Sequence, residues 1–418
     1  MTAPRIVVVG SGAAGAAAAL SAARAGAEVT LIDGGTGATV LAPGAIDLVA
    51  WDSVSAERTA RDAAIEPRVR DVLTELDLYE LPRGGARVAT MGGITRAASG
   101  VDRALLDLAS LGAGDVIVPR CDRPGWDADI LAQSFTYAEL PRGRRFVAID
   151  AALARHTDER ALPHADFAAR HDDAERLAWL AARLLDAFAR ARSAGVSAIA
   201  GVVLPPSLGV IAPRARALSD AVGVPCGEAL AAPGGPAGLR FERARDRAVA
   251  KARVRVVVGR VKIVSRVGDA WRIEIEDARA KAHSLDVDRV ILAAGGLIGG
   301  GVAYTPGDAV LASAIPPSAR PTFQSTIEAP VRIGAGDRPL DLPGSLFGVQ
   351  PESLAWPFAS EPLLERAGIL ADDEGRVIGA PAGLYVAGDL TADRARTFLQ
   401  AIRSGVHAAI RASASARA

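Results

Sequence analysis

Six residues near the head of the chain, Gly10-Ser11-Gly12-Ala13-Ala14-Gly15, form a Gly-x-Gly-x-x-Gly turn of the kind that holds a dinucleotide pyrophosphate. Gly10 permits the tight turn, Gly12 lets backbone approach the phosphates with no Cβ in the way, and Gly15 lets the following helix pack closely on a sheet. Ala13 and Ala14 open that helix, where free N–H groups and the positive end of the dipole face an anion. Asp33, about 20 residues downstream, offers a carboxylate to a ribose. Gly34 and Gly44 belong to the glycine-rich loop after it, suited to wrapping a cofactor. Two more points join this candidate site. A strand ending at Leu292 runs into Ala293-Ala294-Gly295-Gly296, and a strand from Gly383 delivers Gly388 and Asp389 at its carboxyl end. Val261, which opens a strand over 261–265, is assigned to the cofactor as well.

The elements that must position these residues are legible around them. Arg5-Ile6-Val7-Val8-Val9 is a β-branched run suited to a strand buried on both faces. Ala16 to Ala25 is small and helix-favouring, and Glu28 to Ile32 reads as a second strand closed by Asp33. A secretory signal is the competing reading of Ile6 to Ala23. A single arginine before it and three glycines within it argue against that.

The totals narrow the classes. A chain of 418 residues is long enough for two domains around substantial cores. Its 48 basic and 48 acidic residues balance, so no global field draws nucleic acid or an acidic membrane. Cys121 and Cys226, the two cysteines, are too few for a metal or iron–sulfur cage and too far apart in sequence for a redox pair. They fit a reduced, cytoplasmic protein. No uninterrupted apolar run reaches the roughly 18–20 residues that span a bilayer.

Further along, residues 54–78 read as one or two charged helices, and 80–150 as irregular and punctuated by glycine and proline. Asp172 to Ala194 is the clearest helix, with Leu177, Leu180, Leu184 and Phe188 on one face. Leu239–Ala250 reads as a helix, Val254–Val258, Val261–Ser265 and Trp271–Glu276 as short strands, and residues 277–286 as a charged crossover. Residues 297–357 are loop-rich, and a helix spans about Arg394 to Ser413.

Gly10–Asp33, Val290–Gly296 and Gly383–Asp389, in that order, resemble the flavoproteins with a glutathione-reductase-type FAD fold. With no second glycine fingerprint in mid-sequence for NAD(P)H, the chain is most similar to the succinate dehydrogenase and fumarate reductase branch. There it resembles the B subunit of anaerobic glycerol-3-phosphate dehydrogenase, through Pro43-Gly44-Ala45-Ile46-Asp47-Leu48, Leu204-Pro205-Pro206-Ser207-Leu208-Gly209, Gly295 to Gly301 and the order of elements from Ser345 to Gly388. The resemblance implies an α/β fold. A Rossmann-like FAD-binding domain (1–80, 196–300 and 358–418), with a parallel sheet and a small antiparallel meander, would carry an interleaved α+β cap or substrate domain (81–195 and 301–357). It implies that the first motif holds the ADP half of the cofactor and that Asp389 bonds the ribitol chain. The earliest histidine is His156, so the flavin is expected to be non-covalent. Gly12 and Asp33 suit FAD rather than the FMN usually described for that subunit.

Flavin oxidation of a C–H bond also needs a proton acceptor and a group that orients substrate. Arg396, Arg403 and His407, around and on the C-terminal helix, are the candidates, with Arg120 and Arg123 as further residues at the cap. One departure from the family is Thr391-Ala392-Asp393-Arg394-Ala395-Arg396, where a glycine-rich stretch is usual. The expectation is an FAD-dependent dehydrogenase of a small hydroxylated or carboxylated metabolite that passes electrons to a partner subunit or quinone. A flavin-holding electron-transfer or assembly subunit is the alternative. A tRNA-modifying flavoprotein fits poorly with a neutral chain that lacks a basic stripe.

Overall fold

The computed structural model describes residues 3–47, 65–306, 325–328, 331–335, 338–339, 368–392 and 394–414. The 54–64 part of the charged helices expected over 54–78, most of 307–357 and the Ser345–Gly348 piece lie outside these residues, and a helix spans Pro67–Leu76. The chain divides into two compact units, Met1–Thr39 with Glu66–Val72 and Ala248–Ala418, and Val40–Ile65 with Leu73–Arg247.

The first unit is built on β1 (Arg5–Val9), α1 (Ala13–Arg24), β2 (Glu28–Asp33) and β3 (Arg255–Val258). The antiparallel meander β4 (Arg260–Val267), β5 (Ala270–Glu276) and β6 (Ala282–Val287) comes next, then β7 (Arg289–Leu292) and β8 (Leu384–Val386). A parallel sheet of five strands runs β3-β2-β1-β7-β8, and its register sets Val7 beside both Thr30 and Val290. Ile6, Val7, Val8 and Val9 are all buried, as a strand covered on both faces requires. The alanines of α1 are buried too, and their small size lets the C-terminal helix, Phe398–Ser413, lie close against it. A Cβ on Gly405 would run into the Ala14 carbonyl. Trp271, Ile273, Ile275, Val290, Leu292, Leu384 and Val386 share one core between meander and sheet. The stretch expected as a charged crossover contains β6, an exposed edge strand whose polar residues face solvent.

The second unit holds a four-stranded sheet, also parallel, of Cys226–Glu228, Ile199–Leu204, Asp115–Arg120 and Phe146–Asp150 in spatial order. Helices Ala128–Glu139 and Ala174–Ser193 connect its strands. The Asp173 carboxylate caps the second of these, accepting from the Arg176 N–H, and Leu177, Leu180, Leu184 and Phe188 are buried beneath it.

These units differ from the expected boundaries in three places, the first being Val40–Ile65 with residues 73–80, which fall in the second unit. Residues 196–247 join the second unit, because Ile199–Leu204 pairs with Asp115–Arg120 and Cys226–Glu228 rather than with β1 or β2. Arg332–Ala335, expected with the cap, joins the first unit by pairing in parallel with β4.

Candidate cofactor site

The carboxyl ends of β1, β7 and β8 meet at a cleft of about 500 Å³ in the first unit. Gly10, Gly12, Ala13, Ala14, Gly34, Val261, Ala294, Gly295, Gly388 and Asp389 line it, together with Ile32, Thr39 and Ala401. The glycines have distinct reasons. Gly10 sits at φ +105°, and a Cβ there would meet the Ala293 carbonyl oxygen. A Cβ on Gly15 would run into the Gly10 carbonyl, so that glycine holds α1 to the turn behind the cleft. Gly12 has only Thr39 Oγ1 at 3.3 Å from its added Cβ, so its bareness leaves open space on the cleft side.

Gly12 is the N-cap of α1 and has no side chain with which to cap it, and no acidic residue stands in the first turn. The Thr39 hydroxyl accepts from the Ala13 N–H at 3.2 Å, and the N-terminal end of α1 otherwise faces the cleft as an anion cradle. Asp33 is held by two donors at one of its oxygens. Ser11 Oγ donates to its Oδ1 at 2.7 Å and the Gly35 N–H donates to the same oxygen at 2.9 Å. Sequence reasoning passes over Ser11 and Thr39, although both stand inside stretches singled out for their glycines.

At the opposite end, the Gly388 N–H donates to Ser404 Oγ at 2.7 Å, which pins the Gly388-Asp389 turn to the C-terminal helix. Burial pushes the Asp389 carboxyl above its ordinary range, and the Arg396 guanidinium draws it part-way back. Gly296 makes room for that pair: an added Cβ would lie 2.9 Å from Asp389 Cβ and 3.4 Å from Arg396 Nη1.

The other candidates lie elsewhere. Arg403 Nε donates to Glu66 Oε1 at 2.7 Å, and His407 Nε2 stands 2.8 Å from Glu66 Oε2. The hydrogen bond from His407 holds Glu66 below its ordinary value against the opposing effect of burial. Both side chains line a separate cavity, and Ala401 is the residue their helix contributes to the cofactor cleft. Gly44 belongs to the second unit, at φ +102° with Ala237, Asp102 and Leu105 around it, and is not among the cleft's lining residues. Arg120 forks onto Asp129 at 2.7 and 2.8 Å, and buried Arg123 donates to the Leu162 carbonyl at 2.8 Å with Phe167 beneath it. Burial pushes the thiols of Cys121 and Cys226 up to about 12, so neither is a ready nucleophile.

Residues 5–77 match the FAD binding domain family. That stretch supplies the glycine turn, the helix N-terminus and Asp33. FAD is its cofactor. The open face of Gly12, the acid-free start of α1 and the doubly bonded Asp33 fit the pyrophosphate and ribose of that molecule.

No curated protein matches the chain. Matching solved structures include a flavoprotein/dehydrogenase from Cytophaga hutchinsonii, at 12% identity over 70% of this chain and 40% of that one, TM-score 0.25. The 3-ketosteroid-delta4-(5alpha)-dehydrogenase from Rhodococcus jostii RHA1 matches at 14% identity over 98% and 96%, TM-score 0.36. The 3-ketosteroid delta1-dehydrogenase from Sterolibacterium denitrificans matches at 13% over 99% and 100%, TM-score 0.39. The chain spans 40% of the length of the first of these and 60% of AlpK, another match. Among the described residues, no helix is long and apolar enough to cross a membrane.

Proposed function

We propose that the protein is an FAD-dependent dehydrogenase of a small hydroxylated or carboxylated metabolite that hands its electrons to a partner subunit or quinone in the cytoplasm. The observation that carries this reading is the convergence of Gly10, Gly12, Ala13, Ala14, Ala294, Gly295, Gly388 and Asp389 on one cleft, with Asp33 bonded to Ser11 in its wall. When bound there, FAD supplies the two-electron acceptor. The chain's own residues bind and orient it. The start of α1 faces the phosphates, Asp33 takes the ribose, and Asp389 with Arg396 beside it takes the flavin-bearing half.

A substrate cap over residues 81–195 and 301–357 is part of this reading, as the resemblance to the fumarate reductase branch implies. The likeness to the B subunit of anaerobic glycerol-3-phosphate dehydrogenase makes sn-glycerol 3-phosphate the first substrate to try. A second reading, a flavin-holding electron-transfer or assembly subunit without turnover, is favoured by one fact. Arg403 and His407 are occupied with Glu66 and leave the cleft without them.

Anaerobic titration of the purified flavoprotein separates the two. Bleaching of the flavin band by sn-glycerol 3-phosphate or a related hydroxy acid, with electrons recovered on an artificial acceptor, supports the dehydrogenase. A protein that holds FAD, cycles with dithionite and oxidant, and bleaches with no metabolite supports the second reading. A protein that takes up no flavin sinks both.

A further inference from the structure

The C-terminal helix lends Ala401 to the wall of the cofactor cleft. Ser404, one turn further along, stands outside that wall, yet it is bonded to residues within it. Its Oγ accepts from the Gly388 N–H at 2.7 Å and donates to the Ala401 carbonyl at 2.9 Å. A serine hydroxyl has one proton to give. With that proton on the Ala401 carbonyl, the oxygen presents its lone pairs to Gly388, so the helix itself sets the direction of the bond.

The turn that receives this bond is tightly placed. Gly388 is buried and sits at φ +72°, and an added Cβ would lie 2.7 Å from Ala14 Cβ. Gly405, next to Ser404, is bare for a related reason, since a Cβ there would lie 2.2 Å from the Ala14 carbonyl oxygen. The Gly388 peptide is thus packed against the start of α1 and bonded to the C-terminal helix. Asp389 follows it directly, and both residues line the cleft. A buried N–H stripped of its acceptor carries an uncompensated desolvation cost. Without the Ser404 hydroxyl, the Gly388 peptide is driven to turn toward another acceptor, and the Asp389 carboxylate moves with it.

We propose that Ser404 is a positioning residue for the flavin-bearing half of FAD, acting through the Gly388-Asp389 turn without touching the cofactor. This rests on the reading that Asp389 takes that half. The ADP half falls to other residues, which are held by other bonds: the Ala13 N–H to Thr39 Oγ1, and Ser11 Oγ to Asp33 Oδ1. Ser404 therefore governs affinity for FAD and leaves affinity for ADP alone. A residue that only supported the fold would not discriminate between the two ligands.

The test is calorimetric titration of the deflavinated full-length protein with FAD and, separately, with ADP. Wild type, Ser404→Ala, Asp389→Ala and the double variant are compared. Ser404→Ala should bind FAD about 10-fold more weakly and ADP within about 2-fold of wild type. Asp389→Ala should lose at least as much affinity for FAD. The double variant should stay within about 2-fold of Asp389→Ala, because both changes act on one contact. Should Ser404→Ala not fold, Ser404→Cys, similar in size and a weak acceptor, takes its place with the same pattern expected. Equal losses for FAD and ADP, additive losses in the double variant, or unchanged FAD affinity without the hydroxyl would each overturn the proposal. If Asp389→Ala itself leaves FAD affinity unchanged, the assignment of Asp389 to the flavin-bearing half fails first, and the role of Ser404 falls with it.

Discussion

The Ser11 hydroxyl donates to Asp33 Oδ1 at 2.7 Å across 22 residues of sequence, and the Gly35 N–H lands on the same oxygen. Both donors thus bind one oxygen of the carboxylate. Ser11 is buried, so the bond is sheltered from competing water. Ser11→Ala should weaken FAD binding by about 5-fold, the worth of roughly 1 kcal/mol for one hydrogen bond that only orients its partner. Asp33→Ala should cost more, since on the proposed reading it removes the carboxylate that takes the ribose and that Ser11 only orients. Flavin fluorescence titration of the two variants checks the order, and equal losses would show that Ser11 does not act through Asp33.

Gly12 and Gly15, given different duties in the sequence, also have different surroundings in the structure. A Cβ on Gly15 collides with the Gly10 carbonyl, whereas one on Gly12 approaches only Thr39 Oγ1, at 3.3 Å. Gly12→Ala is therefore expected to fold, with a melting temperature within about 2 °C of the wild-type apoprotein. It should be purified with little flavin. Gly15→Ala should fail at the earlier stage and yield little folded protein. A colourless, stable Gly12→Ala protein beside an unstable Gly15→Ala protein would separate binding from packing at a single motif.

The contrast shows which parts of the fold the sequence exposes. Local chemistry is readable: Ile6 to Val9, the alanines of α1 and Asp33 each announce their place because neighbours within one βαβ unit decide it. Partnership is not. Ile199–Leu204 is a short buried apolar run that looks the same whichever sheet it joins, and its pairing with Asp115–Arg120 comes from tertiary packing. β6 is hidden for the opposite reason, since an exposed edge strand carries polar residues like a loop. In the site, Asp389 is legible at the end of its strand. Glu66 is not, because its bond to His407 spans 341 residues and leaves no local pattern.

His171 ties the stability of the second unit to pH. It is fully buried against the edge of Phe167, with ring centroids 5.0 Å apart, and neither ring nitrogen has a hydrogen-bond partner. Burial, with the Arg176 charge nearby, pulls its pKa from 6.5 down to about 4. The folded-state value is depressed, so the unfolded chain takes up the proton first as pH falls. Stability from this group is complete above about pH 6.5, declines between 6.5 and 4, and then levels off. The full loss is on the order of 3 kcal/mol. His171→Leu should remove this dependence, and it strands no donor, since the ring bonds none. Urea unfolding of both proteins at pH 7 and pH 5 measures it. The wild-type midpoint should fall more than that of the variant, and parallel falls would remove His171 from the account.

Arg240 sits at the centre of a fully buried ionic cluster in the second unit. Its side chain is fully buried, as are those of Asp102 and Glu228, which it meets through Nε and Nη2 at 2.7 Å each. Its Nη1 donates to the Gly209 carbonyl at 2.7 Å, while Glu228 accepts from the backbone N–H groups of Ser207 and Leu208. The stretch Pro205-Pro206-Ser207-Leu208-Gly209, part of the family likeness, therefore folds as a cage for this charge cluster. Burial pushes Glu228 above its ordinary value, whereas the two carboxylates hold Arg240 above its own despite burial. Arg240→Met leaves two carboxylates buried with no cation and should cost about 3–5 kcal/mol. Adding Asp102→Asn and Glu228→Gln neutralises what was stranded, so the triple variant should recover part of that loss. Urea denaturation of the single and triple variants checks this. A triple variant no more stable than Arg240→Met would mean that the guanidinium acts through its bond to the Gly209 carbonyl and the shape of the turn, not through charge.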